Sequence, residues 1–505
     1  MMSDFPAAAD IVIVGGGSAG AVLAARLSQD PARTVLLLEA GPAYAPDAFP
    51  ASILDAEQFP DPGHDWNYTS RGTDQAPSIA APRGKVLGGS SAVNAGVALR
   101  ARPGDFARWA SRGVDGWSFA DVLPVYKLLE STPVGEDAYH GRTGPLPVRQ
   151  AADDELTPSL AAFIGATVSR GFKRVQDFNG AEQHGVGSEP VNVVGGVRQN
   201  TAMAYLTAEV RRRPNLTIRG DVTVDRVLFN AAAAAGGVVA ADGTVHRAGE
   251  VILSGGAYGS AAILLRSGVG PAGELAALGI AAVADLPVGR RLQDHAFLHS
   301  AYALDPGHAQ PGRAASALLW TASSEAAPGE LDLHIAAVRL PAAPFSPTGG
   351  AFLLSTSVVK PESAGTLKLA SRDPDDAPLI DSNFLATGRD ARRMLEGVRL
   401  SRAIARTPSF AAVLAGELLP GDAVDDNALA AFIRRSVAVY GHPTSTVAMG
   451  GPGDPGAVVD SVGAVKGLSG LRVVDASIIP EIPSAPTNLT VIMLAERIYQ
   501  RVYEA

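Results

Sequence analysis

The chain contains no cysteine. That one absence removes disulfides, thiolate metal sites, iron–sulfur clusters and a cysteine nucleophile together. Charge is sparse as well: 18% of the 505 residues are Asp, Glu, Lys or Arg, and acids outnumber bases 51 to 42. With a net charge of −9 and no basic cluster, no nucleic-acid partner is expected. No apolar run reaches the roughly 20 residues that span a bilayer, so no membrane partner is expected either. The first ten residues, Met1 to Asp10, have neither the basic region nor the apolar stretch of a signal peptide. A cytoplasmic enzyme is the expectation. What is plentiful is apolar residues, 47% of the chain, which is globular composition. The length exceeds one simple core and implies two domains or one large composite.

Glycine is also plentiful, and it clusters. Ile11 to Val14 is a short apolar run that reads as a buried parallel strand. Gly15, Gly17 and Gly20 follow in G-x-G-x-x-G spacing, with Ser18 and Ala19 between the last two. These glycines suit a tight turn, a close approach to a pyrophosphate and close packing of the next helix. That helix carries Val22, Leu23, Ala24 and Leu27, and its first N–H groups would point at phosphate. A second strand, Val35 to Leu38, ends at Glu39 and Ala40. A carboxylate there can accept both ribose hydroxyls of an adenosine. The fingerprint in this strand–turn–helix–strand setting points to a dinucleotide. The competing reading is a glycine turn with no nucleotide.

A second glycine stretch runs from Arg83 to Val97. Gly88, Gly89, Ser90 and Ser91, then Asn94, make a small-residue backbone able to lie against a planar ligand. Arg83 and Lys85 bring positive charge beside it. A plain connecting loop is the alternative, but two such stretches suggest one extended cofactor.

Asp105 to Glu130 reads as helical, with its aromatics in the core. Leu156 to Gly171 reads as an amphipathic helix. The alanine–glycine tract Ala231 to Gly237 reads as a hairpin tip, and Val251 to Leu253 as a return strand. From Phe297 to about Phe410, alternating runs such as Leu331 to Ile335 and Phe352 to Val359 suggest a half-buried antiparallel sheet, followed by a helix over Arg389 to Arg406. His64 reads as a surface-loop histidine, and His299 and His334 as satisfied sheet histidines. His442 sits before Pro443 in a Gly/Ser/Thr turn and is a catalytic or a loop histidine. Asn488 precedes a last helix expected over Val491 to Tyr503, where it suits an N-cap.

GGGSAG (Gly15 to Gly20), GGSSAVNAG (Gly88 to Gly96), GSAAILLRSGVGP (Gly259 to Pro271), VGRRLQDH (Val288 to His295) and LRVVDASIIP (Leu471 to Pro480) occur in that order. The chain thereby resembles the glucose–methanol–choline (GMC) oxidoreductases, FAD-dependent alcohol oxidases and dehydrogenases, over nearly its whole length. The resemblance implies an α/β fold: a Rossmann-type FAD-binding domain (1–155, 195–300 and 425–505) with an interleaved α+β substrate domain built on an antiparallel sheet (156–194 and 301–424). It implies that FAD contacts Gly15, Gly17, Ser18, Ala19, Gly20, Glu39 and Ala40 in the first loop. In the second it implies contacts from Arg83, Val86, Gly88, Gly89, Ser90, Asn94, Ala95, Gly96 and Val97. It adds Val222 near the adenine, then Gly255, Asp475, Ala476, Asn488, Leu489 and Thr490. Members with covalent flavin have His where this chain has Val93, so the resemblance implies non-covalent FAD.

His442 and Asn488 fall on the family's catalytic pair. The turn departs from the family pattern, with Ser445 for Gly, and Pro486-Thr487-Asn488 stands for Asn-Thr-Asn. The implied chemistry is oxidation of a primary or secondary alcohol to an aldehyde or ketone. His442 takes the hydroxyl proton, Asn488 donates to the developing alkoxide, hydride goes to flavin N(5), and oxygen or another acceptor takes the electrons. Asp475 is expected to serve the ribityl or pyrophosphate region. A hydroxynitrile lyase with structural flavin is the main alternative. Light-driven decarboxylation in the family looks cysteine-dependent. An NAD-dependent dehydrogenase would leave the second glycine stretch unexplained, and a non-enzymatic flavoprotein would leave His442 and Asn488 unexplained. Few charges flank Pro341 to Gly350, which hints at an uncharged substrate.

Overall fold

The computed structural model describes residues 8–57, 61–308, 316–421 and 423–504. The first sheet grows from the apolar run. Strands β1 (Ala8–Val14) and β2 (Val35–Leu38) lie parallel, Ile11 opposite Val35 and Val14 opposite Leu38. Helix α1 (Gly20–Leu27) joins them and buries every residue but Arg26. A run apolar on both sides can sit only inside a covered parallel sheet.

The Asp105–Glu130 stretch is two helices, α2 (Pro103–Ser111) and α3 (Phe119–Leu129). Gly113 and Gly116, at φ 72° and 79°, end the first and turn the chain. Trp109, Trp117 and Tyr126 are fully buried, as core aromatics should be. Helix α4 (Pro158–Ser169) and strand β3 (Gly185–Ser188) then enter the second lobe. Strand β4 (Leu216–Arg219) returns to pair with β2. Strands β5 (Val224–Phe229), β6 (Ala235–Ala240) and β7 (Val245–Leu253) form a meander. The tract expected as a hairpin tip is only half turn, because β6 already begins at Ala235. Strand β7 pairs with β1 in parallel, and α5 (Gly256–Arg266) follows it.

The second lobe is built on strands β8 (Ala296–Leu304), β9 (Ser316–Thr321), β10 (Leu333–Leu340) and β11 (Ala351–Val358). Helix α6 (Gly388–Ala405) packs on one face. Strands β12 (Leu414–Leu419) and β13 (Ala438–Val439) both pair with β8. The order is β12-β8-β11-β10-β9-β3, antiparallel throughout. Strand β14 (Leu471–Val473) closes the first sheet beside β7, and α7 (Thr487–Tyr503) packs against α1. The architecture is the expected one, a Rossmann-type sheet joined to an antiparallel sheet.

The lobes exchange more chain than the expected seams allow. The seam at 300 falls inside β8, and β13 completes the antiparallel sheet from the 425–505 stretch. A small sheet joins Thr69–Arg71 and Ile79–Ala80 to Thr366–Lys368 and Leu379–Asp381. Through it Leu367 and Ile380 belong to the core of the nucleotide lobe.

Candidate active site

The two glycine stretches meet. The Gly88 N–H donates to the Gly16 carbonyl at 2.8 Å. A Cβ on Gly89 would stand 2.7 Å from the Gly17 Cα, and one on Gly20 would stand 1.9 Å from the Gly15 carbonyl oxygen. Only glycine permits either approach. Glu39 is buried at the end of β2. Its Oε2 accepts from Gly16 N–H at 2.8 Å and its Oε1 from Gly41 N–H at 2.9 Å. Burial pushes its pKa up to about 7, against the pull of those backbone donors. Glu39 thus holds the loop in shape, with Ala40 as a further backbone donor, and keeps acceptor capacity for a ligand hydroxyl. Val222 donates its N–H to the Glu39 carbonyl at 2.9 Å.

In the second stretch Val86 is fully buried. Ser90 Oγ accepts from Gly84 N–H at 3.2 Å, and Asn94 Oδ1 from Gly96 N–H at 2.9 Å, before Val97 bridges to Val191. Ala95 is exposed. Lys85 lies over the Trp66 ring at 4.6 Å, and Arg83 Nη1 donates to the Gly441 carbonyl at 2.9 Å, in the His442 turn.

Asp475 has no lone pair to spare. Oδ2 accepts from Gly256 N–H at 2.8 Å and Ser260 Oγ at 2.6 Å; Oδ1 accepts from Ser477 N–H at 2.8 Å and Ser477 Oγ at 2.5 Å. Its carboxylate ties the turn Ala476–Ile478 to the start of α5, beside Gly255, whose N–H donates to Ser260 at 3.0 Å. Helix α7 begins at Thr487 with Pro486 at its cap, so Asn488 lies inside the first turn and is not the N-cap. Its Oδ1 accepts from Ser18 Oγ at 2.7 Å, which links the first glycine loop to the expected catalytic pair. Leu489 is buried, and Thr490 Oγ1 meets the Tyr126 hydroxyl at 3.0 Å.

His442 and His295 face each other, Nδ1 to Nδ1 at 2.9 Å, with rings near perpendicular at 84°. Asp294 Oδ1 accepts the backbone N–H of both residues, each at 2.7 Å. One buried carboxylate therefore clamps both histidines. Burial lifts Asp294 to about 6, with Arg83 pulling the other way. Burial, then the positive ends of His295, Arg83 and His334, drive His442 well below the ordinary histidine range. His442 nonetheless keeps part of its surface open, as do its neighbours Tyr440 and Phe297. Tyr440 stacks flat on Phe297 at 3.9 Å and 6°, and lies 4.3 Å from the His442 ring. Ser445 adopts φ 71°, so the turn keeps the shape for which the family uses glycine.

Of the other histidines, His64 is held between Tyr44 and Asp61, both at 2.8 Å, and is partly buried in its loop. His299 meets Ser355 Oγ at 2.7 Å, as a satisfied sheet residue would. His334 departs from its expected role. It is fully buried, and both ring nitrogens lack a partner. Asp294 and His295 carried no spacing signal of their own, although they close the VGRRLQDH block. Among the described residues no cluster of three or more His, Cys, Asp or Glu could hold a metal. Among them, too, no helix is long and apolar enough to cross a membrane.

Family profiles described as GMC oxidoreductase match residues 9–297 and 361–495. The chain is 37% identical to an oxygen-dependent choline dehydrogenase of Paraburkholderia phymatum, over 98% of this chain and 92% of that one. It is 37% identical to a 5-(hydroxymethyl)furfural oxidase of Methylovorus sp., over 97% of each. The crystal structure of pyridoxine 4-oxidase from Mesorbium loti superposes with a TM-score of 0.89 at 33% identity, over 98% of this chain and 99% of that one. The chain belongs to the GMC oxidoreductases and is an FAD-dependent flavoprotein of that family.

Proposed function

We propose that this GMC oxidoreductase oxidises the CH–OH group of a primary or secondary alcohol to an aldehyde or ketone, with His442 as general base. The observation that carries the reading is the clamped pair, His442 Nδ1 at 2.9 Å from His295 Nδ1. Two ring nitrogens that close must share one proton. If His442 donates from Nδ1, its Nε2 is left bare and can accept the hydroxyl proton of an alcohol. His295 then carries its own proton on Nε2. Asp294 fixes both backbones, so His442 is oriented before substrate arrives.

The residues present fit FAD. The glycine stretches touch with no side chain between Gly17 and Gly89, which is the cradle a pyrophosphate needs, and Glu39 keeps lone pairs for ribose hydroxyls. Gly15, Gly17, Gly88, Gly89 and Glu39 would hold it, with Asp475 positioning α5. Val93 offers no histidine for a covalent link, so attachment is non-covalent; acid precipitation should release all the flavin. Bound FAD supplies the hydride acceptor and passes electrons to oxygen or another acceptor. Asn488, held by Ser18, orients the substrate oxygen as its charge develops.

Choline and 5-(hydroxymethyl)furfural, named for the relatives, mark two substrate classes to try. Anaerobic addition of an alcohol panel tests the reading: bleaching of the flavin band by at least one alcohol is expected, and a flavin that no alcohol bleaches would sink it. The lyase alternative gains nothing from the relatives named above, which are a dehydrogenase and oxidases. A cytoplasmic setting stays part of the proposal, and cell fractionation checks it.

A further inference from the structure

One peptide unit in the site is gripped at both poles. The Gly441 carbonyl accepts from Arg83 Nη1 at 2.9 Å. On the same peptide, the His442 N–H donates to Asp294 Oδ1 at 2.7 Å. Each bond has one charged partner, which makes it stronger than a neutral backbone bond. With its oxygen and its hydrogen both fixed, the planar unit cannot rock, and the His442 side chain leaves the backbone from a set position. Arg83 is fixed in turn. Its N–H donates to Asp65 Oδ1 at 2.8 Å, its carbonyl accepts from Trp66 N–H at 2.9 Å, and its Nε donates to the Pro82 carbonyl.

Asn488 has a matching tether. The Ser18 hydroxyl, in the turn before α1, donates to Asn488 Oδ1 at 2.7 Å. That bond decides which way the amide faces. With Oδ1 turned to Ser18, the two N–H groups of Nδ2 face away from it. They have no partner among the described residues, and Asn488 keeps part of its surface open. The donor end of the amide is thereby left for a ligand oxygen.

The tethers come one from each glycine stretch, Ser18 from the first and Arg83 from the second. The stretches are themselves joined, Gly88 N–H to the Gly16 carbonyl at 2.8 Å. The frame suited to the cofactor therefore also aims the two residues suited to the substrate. The tethering groups have little left for a cofactor. A hydroxyl has one proton to donate, and a pyrophosphate oxygen only accepts. Ser18 has spent that proton on Asn488, and Arg83 has spent Nε and Nη1 on carbonyls.

We propose that Ser18 and Arg83 are positioning residues: Ser18 turns the Asn488 amide toward the substrate oxygen, Arg83 fixes the peptide that carries His442, and neither side chain holds FAD. This rests on the alcohol-oxidation reading and adds two residues to it.

The test pairs two measurements on each variant. One is the Kd of flavin-free protein for FAD. The other is the rate of flavin reduction without oxygen by choline, 5-(hydroxymethyl)furfural or benzyl alcohol, whichever bleaches the wild type fastest. Ser18→Ala and Arg83→Met should each slow reduction by about tenfold or more, the scale of one lost hydrogen bond. The loss should fall on kcat with KM little changed, because the aim of the pair matters most as charge develops. The Kd for FAD should stay within about twofold of wild type if no bond to the cofactor is lost.

Double-mutant cycles separate aiming from general damage. Ser18→Ala in an Asn488→Ala background should change the rate by less than about twofold, and so should Arg83→Met in a His442→Ala background. If Arg83→Met does not fold, because buried Asp294 loses the charge that balances it, Arg83→Lys keeps that charge and carries the same test. A Kd that rises as the rate falls would assign the residue to the cofactor and overturn the proposal. Slowing that persists undiminished in the cycle backgrounds would overturn it too. A wild-type flavin that no alcohol of a broad panel reduces would instead overturn the parent reading, and this one with it.

Discussion

His140 and His442 are both deep in the protein, yet their surroundings drive them in opposite directions. His140 Nδ1 lies 2.9 Å from Glu130 and Nε2 lies 2.8 Å from Asp177. Burial alone would lower its pKa, but the hydrogen bonds and charges of Asp177 and Glu130 outweigh burial and lift it to about 9. His442 has burial, His295, Arg83 and His334 around it, and each pushes its pKa down. The first histidine is a fixed cation in a structural ion pair. The second is a neutral ring near positive charge. Burial does not decide what a histidine is for; the sign of its neighbours does.

The sharpest way to probe this contrast is to remove each ring. His442→Ala should lower the rate of flavin reduction by roughly 10²–10⁴-fold while flavin stays bound. Stopped-flow spectra of the loaded variant measure it, and an unchanged rate would remove His442 from the chemistry. His140→Leu should leave that rate alone and cost stability instead, about 2–3 kcal/mol, less than for a fully isolated buried pair because Arg100 still bridges Glu130.

The sign with pH follows from the raised value. The His140 contribution is complete below its unfolded pKa near ~6.5 and is lost as pH rises through about 9. Urea unfolding at pH 6.5 and 9.5 should show the wild type losing more stability across that interval than His140→Leu. Equal losses would mean that His140 is not the titrating group.

A smaller effect is expected at Asp475, whose two oxygens accept four donors. Asp475→Asn turns one acceptor into a donor facing Gly256 N–H and Ser260. Retitrating flavin-free protein with FAD should give a Kd about tenfold higher. No change in Kd would detach this turn from cofactor binding.

Legibility in the sequence follows how far apart the partners lie. The glycine cradle was readable because Gly15, Gly17, Gly20 and Glu39 fall within one strand–turn–helix–strand unit, where spacing encodes geometry. The antiparallel sheet showed through its alternation. The site's other half depends on partners far apart in the chain: His442 meets His295, 147 residues away, and Asn488 meets Ser18, 470 away. No local period encodes such pairs. For the same reason His334 looked like an ordinary sheet histidine, since only the register shows that its neighbours offer it nothing. Glycine breaks were missed between α2 and α3, because the apolar spacing runs on through Trp117.

Ser445 is the finest test of how much of the site is shape. It holds φ 71°, a conformation that costs an L-residue about 1 kcal/mol and costs glycine almost nothing sterically. Its hydroxyl returns little, reaching Thr444 Oγ1 at 3.2 Å and Gln293 Oε1 at only 3.5 Å. Glycine would gain the relief of strain and lose some of it to a more flexible unfolded chain. Ser445→Gly should therefore raise the unfolding free energy slightly, by roughly 0.5 kcal/mol, and leave flavin reduction within about twofold. A fall of tenfold or more would assign the hydroxyl a part in orienting His442. The turn would then depend on its bonds as well as its backbone.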